Sequence, residues 1–110
     1  MKKENFIIQT TATDSANTKV MLEGQLVIRN AAIIKKELLS ALANSQNLEL
    51  IFKNVTRTDI AFLQLLVALQ KSAAASLEKK LVVDTESSGY MKSVIRSSGF
   101  ETCLLHNTQV

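Results

Sequence analysis

Residues 48–75 read LELIFKNVTRTDIAFLQLLVALQKSAAA, a run that combines three structural signals. Residues 48–52 are compact and mostly apolar, as expected for a strand in the middle of a sheet. Residues 61–75 contain no glycine or proline and are dominated by alanine and leucine, which predicts a helix. Between them, residues 54–59 are mostly polar and are expected to form a loop. The run therefore predicts a strand, loop and helix unit of an α/β fold.

Two further strands are expected before this unit. Residues 6–11 and 19–23 are short runs of apolar and β-branched side chains, and the polar residues 13–17 between them supply a turn. Gly24 is expected to break the second strand, after which residues 26–28 continue as a short extended segment. This part of the chain therefore adds two strands joined by a turn.

A first helix is expected over residues 31–43. Asn30 is its candidate N-cap, because the side-chain carbonyl can accept a backbone N–H two or three residues on. The spacing i, i+4, i+7 and i+8 predicts one buried apolar stripe along this helix. Its members are Ile34, Leu38, Ala41 and Leu42.

The same alternation continues after the second helix. Residues 81–83 predict a strand and residues 90–97 a third helix. Gly99 suits a Schellman ending, in which Phe100 folds back onto the helix. Residues 103–105 form a final short apolar piece.

The chain has 110 residues, of which 46% are hydrophobic and 21% are charged, with a formal net charge of +3. Together with the alternation of strands and helices, this predicts a single α/β domain over residues 1–110, with a mixed, mainly parallel sheet and helices packed against it. The longest near-apolar stretch, residues 60–69, is interrupted by Gln64 and is shorter than the ~20 residues that a bilayer requires. Neither direct membrane insertion nor a secretory signal is expected, and a cytoplasmic location is the simplest reading.

Nucleic acid is not expected as a partner. The basic side chains are dispersed along the chain, and its aromatic residues are one tyrosine and four phenylalanines. Proteins that stack bases combine a basic patch with interleaved aromatic side chains, and this sequence has no such combination.

The residue inventory also argues against an enzyme. Cys103 is the only cysteine and His106 the only histidine, so a monomer has no disulfide, Cys-x-x-Cys pair or two-histidine metal site. No acidic residue close in sequence could orient His106 as a base. We therefore interpret Cys103 as a core thiol and His106 as a solvated imidazole. Residues 87–89 lack the lysine of a P-loop and read as a helix cap. No catalytic residue, metal or cofactor is expected.

Asp59 lies at the start of the second helix, where its carboxylate can accept backbone N–H bonds and meet the positive end of the helix dipole. Asparagine is also a competent cap, so Asp59→Asn is expected to change the unfolding free energy by less than ~1 kcal/mol. The carboxyl ends of strands and the helix starts behind them form the usual recognition edge of an open α/β sheet. Residues 54–59 are therefore a candidate recognition loop as well.

The second helix is apolar nearly all round, so it must be covered on more than one side, by its own domain or by a partner. Phe62, Leu65, Leu66 and Leu69 cannot all face one sheet at about 100° per residue. Phe62, in the first turn, is expected to be the exposed one. An aromatic side chain in that place would anchor a protein partner.

Six segments fall in a recognisable order and spacing, namely residues 24–26, 31–43, 48–55, 58–63, 81–83 and 94–100. Together they resemble the STAS domain, which is the domain of anti-sigma-factor antagonists and of sulfate-transporter C-terminal regions. The resemblance covers about residues 5–105. It implies a single STAS-like domain with its core in that range.

The signature loop of the STAS family reads Asp-Ser-Ser-Gly-Leu or close to it, and its second serine, or a threonine, accepts phosphate from a partner kinase. The matching run here is Asp-Ile-Ala-Phe-Leu, residues 59–63. Asp59 and Leu63 match the family pattern. Ala61 stands at the position of the phosphoacceptor hydroxyl, and Phe62 stands where glycine is usual. Because alanine has no nucleophilic oxygen, no phosphorylation switch is expected at Ala61.

Two threonines lie close to that position. Thr58 is expected to point inward beside the strand, and Thr56 is expected to be a solvated turn residue. Turn threonines usually bond to the backbone. Neither is therefore expected to replace the missing phosphoacceptor.

The resemblance implies a non-enzymatic module of bacterial signalling and transcription regulation that docks on a protein partner. The candidate partner-binding residues are Arg57, Thr58, Asp59, Ala61, Phe62 and Leu65. The usual partner in the family is a serine kinase anti-sigma factor with a histidine-kinase-like ATPase fold, whose capture frees a sigma factor. Other relatives are small subunits of an ATP-driven lipid-transport (ABC) complex or are associated with chemotaxis or two-component signalling. A nucleotide-binding role is the remaining alternative, and a dimer is left open.

Overall fold

A computed structural model describes residues 6–14, 16–75, 79–100 and 104 of the chain. Strands and helices alternate in the predicted order. They are β1 (Phe6–Ala12), β2 (Asn17–Leu26), α1 (Ile28–Ala43), β3 (Asn47–Thr58), α2 (Ile60–Ala75), β4 (Lys80–Asp84) and α3 (Gly89–Ser98). Of the final apolar piece, only Leu104 lies within the described residues, and it is buried.

The four strands form one sheet in the order β1-β2-β3-β4. β1 pairs antiparallel with β2, whereas β2 with β3 and β3 with β4 pair in parallel. Each parallel pair is joined by a crossover helix, as parallel neighbours require. The predicted α/β class with a mixed, mainly parallel sheet is confirmed.

One face of the sheet is covered and the other is open. Leu22 of β2 and Leu50 and Phe52 of β3 are fully buried in a single core that they share with side chains of all three helices. The alternate positions on these strands, such as Met21 and Ile51, are only partly buried. This period-two pattern is that of a sheet with helices on one side.

The turn between β1 and β2 is closed by Asp14, as the polar run 13–17 predicts. Its Oδ1 accepts hydrogen bonds from the backbone N–H groups of Ala16 (2.8 Å) and Asn17 (2.9 Å). The bond from Ala16, followed by those from the side chain and backbone of Asn17, holds the pKa of Asp14 below its ordinary value, because all of them favour the charged carboxylate.

Helix α1 buries the predicted stripe, Ile34, Leu38, Ala41 and Leu42. The prediction that Asn30 is its N-cap is wrong, because the helix begins at Ile28 and Asn30 lies inside it. The Asn30 side chain instead donates to the carbonyl oxygen of Gln25 (2.7 Å) and ties the first turn back to the preceding strand.

The prediction that Gly24 breaks the second strand is also wrong. β2 continues to Leu26 through two register shifts, with Gly24 at φ 91° and paired to Val55. β3 correspondingly runs to Thr58, so most of the predicted loop is strand, with Asn54 at φ 52°. Bulges of this kind add residues to one strand without ending the pairing.

Helix α2 is covered by its own domain. Its buried residues are Phe62, Leu63, Leu65, Leu66, Leu69, Gln70 and Ala73. The expectation that Phe62 is exposed is wrong, because the side chain has 0% exposure. Its ring packs edge-on against Phe52, with centroids 6.2 Å apart and an interplanar angle of 86°. The sheet therefore extends far enough along β3 to cover the first turn of α2.

Both ends of α3 have the capping residues that the sequence predicts. Ser88 is the N-cap, and its Oγ accepts the backbone N–H of Met91 (3.2 Å). Gly99 ends the helix in the left-handed region at φ 86°, a conformation that glycine adopts without strain. Phe100 is partly buried and packs against the core, and the Gly99 N–H donates to the carbonyl oxygen of Arg96 (3.3 Å), which is one of the two backbone bonds of the predicted Schellman ending.

The C-terminal end of α1 is bonded by a side chain from a distant part of the chain. The Lys79 Nζ donates to the carbonyl oxygens of Leu42 and Ser45, each at 2.7 Å, and more weakly to that of Ala43 at 3.4 Å. A cation at this position bonds to the last carbonyls of the helix and meets the negative end of the helix dipole.

Candidate functional site

The carboxyl ends of β2 and β3 lie beside the first turns of all three helices. Two hydrogen bonds show this convergence: the backbone N–H of Ile28 donates to Asp59 Oδ2 (2.9 Å), and the backbone N–H of Thr58 donates to Tyr90 Oη (3.3 Å). We call the group of side chains around these bonds the Asp59 rim. It consists of Ile28, Arg57, Thr58, Asp59, Ile60 and Tyr90.

Asp59 caps two helices. Its Oδ1 accepts the backbone N–H of Phe62 (3.0 Å), which is the predicted N-cap bond of α2. Its Oδ2 accepts the N–H of Ile28, the first residue of α1. The N-cap residue of α1, Val27, makes no side-chain cap bond of its own. The predicted cap is therefore confirmed, and the second cap is a feature that the sequence did not predict.

Thr58 is fixed by two bonds. Its Oγ1 donates to the carbonyl oxygen of Leu26 (2.8 Å), and its N–H donates to Tyr90 as above. The side chain is half-buried, as expected of an inward-pointing threonine, whereas Thr56 is exposed on β3. The hydroxyl of Thr58 therefore links the ends of β2 and β3.

The rim carries three large apolar side chains that face solvent. Ile28 is 67% exposed, Ile60 53% and Tyr90 43%. Each is bonded to, or adjacent in sequence to, Thr58 or Asp59, so all three residues lie near the capping carboxylate. Exposed apolar side chains gathered in one place are typical of an interaction surface, whereas single ones are common on any protein.

Sequence reasoning did not select these three residues. Ile28 and Ile60 are the first residues of their helices and lie outside the buried stripes, which is the one signal that could have indicated them. No sequence pattern indicates that Tyr90 lies at the rim, because its hydrogen bond to Thr58 spans 32 positions of the chain.

The predicted partner-binding residues divide into two groups. Arg57 is exposed, and Thr58, Asp59 and Ala61 are half-buried at or next to the rim. Phe62 and Leu65 are buried, with 0% and 9% exposure. The expectation that these two side chains face a partner is therefore corrected: both belong to the core, because α2 packs on its own sheet from the first turn.

A shallow groove adjoins the rim between the start of α2 and the length of α3. Its volume is about 320 Å³, and its lining is Thr58, Asp59, Ile60, Leu63, Ser93, Val94, Ser97 and Ser98. Apolar side chains and hydroxyls share the lining, with the Asp59 carboxylate already bonded to two backbone N–H groups.

The charge at the rim is basic. Arg57 and Arg29, which follows Ile28, are both exposed, and neither has a side-chain partner among the residues that the structure describes. Within the described ranges there is also no group of three His, Cys, Asp or Glu residues that could hold a metal ion. Cys103 and His106 lie outside the described residues.

The helices are too short or too polar for a bilayer: across the described part of the chain, none is long and apolar enough to span one.

Comparisons with known proteins agree with this geometry. A family model described as "Mlab, STAS domain" matches residues 9–106. A solved anti-sigma factor antagonist from Mycobacterium paratuberculosis is similar, with a TM-score of 0.72, 14% identity and coverage of 90% of this chain and 82% of that one. No curated protein matches the chain at a significant level.

Two further solved structures share the fold. The anti-sigma factor antagonist SpoIIAA in its unphosphorylated form has a TM-score of 0.68, 13% identity and coverage of 90% and 86%. The Bacillus cell fate determinant SpoIIAA in its phosphorylated form has a TM-score of 0.68, 15% identity and coverage of 90% and 89%. At these identities the likeness shows a common fold.

Proposed function

This chain belongs to the STAS domain family, and on that premise we propose that it is a non-enzymatic protein–protein interaction module of bacterial signalling. It binds its partner through the Asp59 rim, in the cytoplasm. The observation that carries the proposal is the cluster of Ile28, Ile60 and Tyr90, exposed around a carboxylate that fixes two helix starts. A rigid backbone under an exposed apolar cluster reduces the entropy that binding would cost.

The first candidate partner is an anti-sigma factor of the serine kinase class. Its support is the fold shared with the anti-sigma factor antagonists. The exposed charges of Arg29 and Arg57, which pair with no side chain in the described part of the chain, favour a partner surface that presents an apolar side chain flanked by carboxylates. Such a surface would use the groove beside α3 for the apolar contact.

Regulation by phosphate at the start of α2 is not part of the proposed mechanism. Two of the similar structures are the unphosphorylated and phosphorylated forms of SpoIIAA. In this chain the three residues after Asp59 are Ile60, Ala61 and Phe62, which have no hydroxyl. The nearest hydroxyl along the chain, that of Thr58, donates to the carbonyl oxygen of Leu26. We therefore propose binding that is controlled by the state or abundance of the partner.

A second candidate function is favoured by the matched family model, whose description is "Mlab, STAS domain". Among STAS relatives are small subunits of ATP-driven lipid-transport complexes, and in that case the partner would be the ATPase subunit. The same rim would serve either partner, since both proposals require protein docking and no chemistry on a small molecule.

The test is a capture experiment in the native cell. The full-length chain carries an affinity tag at its chromosomal locus, as wild type, as Ile60→Ser and as Leu39→Ser, a matched change of an exposed apolar residue far from the rim on α1. The expected result is one protein whose recovery falls about tenfold or more with Ile60→Ser alone, as for loss of an interface anchor. If that protein is a kinase-like anti-sigma factor, the result supports the first candidate function. If it is the ATPase subunit of a transporter, the result supports the second. Equal recovery of every protein with the two variants would contradict the proposal.

A further inference from the structure

The two edges of the sheet differ in how well they are protected. β4 is five residues long and carries a charge at each end, Lys80 and Asp84. β1 is seven residues long, reads FIIQTTA and has no charge, proline or glycine. Its pairing with β2 runs without a register shift from Phe6 to Ala12. Charges, proline, bulges and short length are the usual means by which edge strands avoid pairing with another chain, and β1 has none of them.

Within the described ranges, the outer backbone groups of β1 are also free to pair. In an antiparallel ladder, alternate residues direct their N–H and C=O groups away from the neighbouring strand. Among the residues that the structure describes, no backbone or side-chain group outside β2 bonds to the main chain of β1. An edge of this kind is a template for one more strand.

Two large exposed side chains flank this edge. One lies on the open face of the sheet and the other lies on the helix side. Ile7 of β1 is 50% exposed on the open face of the sheet. In the helix layer, Thr10 donates to Glu37 Oε2 (3.4 Å), which places the Glu37 side of α1 over β1. Ile33 lies one turn before Glu37 on the same side of the helix, and it is 52% exposed. Ile7 and Ile33 therefore border the same edge above and below.

We propose that β1 pairs antiparallel with β1 of a second copy of this chain, around a two-fold axis at Gln9, the middle residue of the strand. This register pairs all seven residues and sets Ile7 opposite Thr11 and Ile8 opposite Thr10 of the partner copy. The two sheets become one sheet of eight strands, and both α1 helices lie on the same side of it. Because β1 has no charged residue, no like charges lie opposite each other in the paired strands.

The neighbouring strand supports the same arrangement. Across β1, Thr11 pairs with Lys19 and Ile7 pairs with Glu23 of β2. The two-fold axis reverses this order in the second copy. Lys19 of one copy therefore lies in the same row of the joined sheet as Glu23 of the other copy. Opposite charges of the two copies therefore share a row on the open face, about 14 Å apart, and no like charges face each other in this antiparallel arrangement.

The rim and the β1 edge are separate surfaces. Exposed large apolar residues at the rim are Ile28, Ile60 and Tyr90, whereas Ile7 and Ile33 border the edge. Leu39, which is 41% exposed, lies two residues beyond Glu37 and therefore on the other side of α1. It belongs to neither surface and provides a matched control.

The first experiment is sedimentation equilibrium of the full chain up to about 0.2 mM, a range that detects micromolar dissociation constants. Wild type and Leu39→Lys should form the dimer. Gln9→Lys places like charges opposite each other at the axis, and Ile33→Lys charges the flanking position. Each of these two variants should raise the dimer dissociation constant at least about tenfold while keeping the circular dichroism of wild type. A monomeric wild type, or a dimer that both variants leave intact, would overturn the proposal.

A second experiment tests the register without weakening the dimer. The second experiment uses a Cys103→Ser background. In this register the Cα atoms of residue 9 in the two copies are about 4.5–5.5 Å apart, a distance that a disulfide between two Gln9→Cys chains accommodates. Ala12→Cys is the control, because the same register separates its two copies by about 20 Å. Oxidation should cross-link Gln9→Cys into a covalent dimer and leave Ala12→Cys monomeric on a non-reducing gel. Equal cross-linking of the two variants, or none for Gln9→Cys, would contradict the axis at Gln9.

Discussion

The carboxylate of Asp59 accepts a hydrogen bond at 2.9 Å from the backbone N–H of Ile28, 31 positions earlier in the chain. The other oxygen of the same carboxylate accepts the N–H of Phe62 at 3.0 Å. One side chain thus fixes the first turns of α1 and α2 relative to each other. The exposed side chains of Ile28 and Ile60 owe their common position to this bridge.

Asp59→Ala should therefore destabilise the domain more than the loss of a single cap. Two hydrogen bonds are removed, and the expected cost is about 2–3 kcal/mol of unfolding free energy. Ser88→Ala removes the one cap bond of α3 and should cost about 1 kcal/mol. Chemical denaturation of both variants measures the difference, and equal costs would show that the bond to Ile28 contributes nothing.

Asp59→Asn should be intermediate rather than neutral. An amide has one acceptor oxygen, so it can keep the bond from either Ile28 or Phe62 but presents an N–H donor to the other. We expect a loss of about 1–2 kcal/mol, which replaces the smaller change expected of a simple exchange of caps. The same denaturation series measures it. A stability equal to that of wild type would mean that one of the two bonds is dispensable.

Phe62→Ala should behave as a core truncation. The ring is fully buried and packs edge-on against Phe52, so the expected loss is about 3–5 kcal/mol. Ile60→Ala, two positions away but 53% exposed, should change stability by no more than about 0.5 kcal/mol. Thermal and denaturant unfolding of the pair would test this. A loss below about 1 kcal/mol for Phe62→Ala would contradict the burial of the ring in the core.

Adjacent lysines provide a test of the cap on α1. Lys79→Met removes the Nζ bonds to the carbonyl oxygens of Leu42 and Ser45 and should cost about 1–2 kcal/mol, while keeping most of the aliphatic stem. Lys80→Met is the control, since Lys80 is exposed, and it should change stability by less than about 0.5 kcal/mol. Indistinguishable unfolding curves for the two variants would rule out the cap.

Incubation with ATP and a cognate kinase should leave the intact mass of the wild-type chain unchanged, because Ile60, Ala61 and Phe62 offer no hydroxyl. Ala61→Ser restores a hydroxyl at the phosphoacceptor position of the family pattern, and this variant should gain about 80 Da, the mass of one phosphoryl group. Peptide mapping provides the contrary outcome: a stoichiometric phosphate on wild-type Thr56 or Thr58 would mean that the acceptor has moved along the loop.

Local signals predicted much of the fold. The buried stripe of α1 follows from apolar spacing within one helix. The Ser88 cap, the Asp59 cap on α2 and the left-handed Gly99 each depend on residues within three positions of one another. In all of these the information that sets the structure lies within one or two helical turns, where a sequence pattern can show it.

The features that the sequence did not predict depend on partners far along the chain. β2 continues past Gly24 only because β3 supplies bulged pairs for it. Phe62 is buried because that longer sheet covers the first turn of α2, and helical spacing alone does not say how far a sheet extends. The bond from Ile28 to Asp59 spans 31 positions, so the apolar cluster at the rim becomes visible only in three dimensions.

The most direct test of the proposed function is a titration of the purified partner, once captured, with wild type, Ile60→Ser and Leu39→Ser. Binding through the Asp59 rim predicts that Ile60→Ser raises the dissociation constant at least about tenfold, which corresponds to about 1.4 kcal/mol, while Leu39→Ser binds as wild type. Unfolding curves that overlay for all three proteins exclude a loss of fold as the cause. Equal affinity of Ile60→Ser and wild type would contradict a docking surface at the rim.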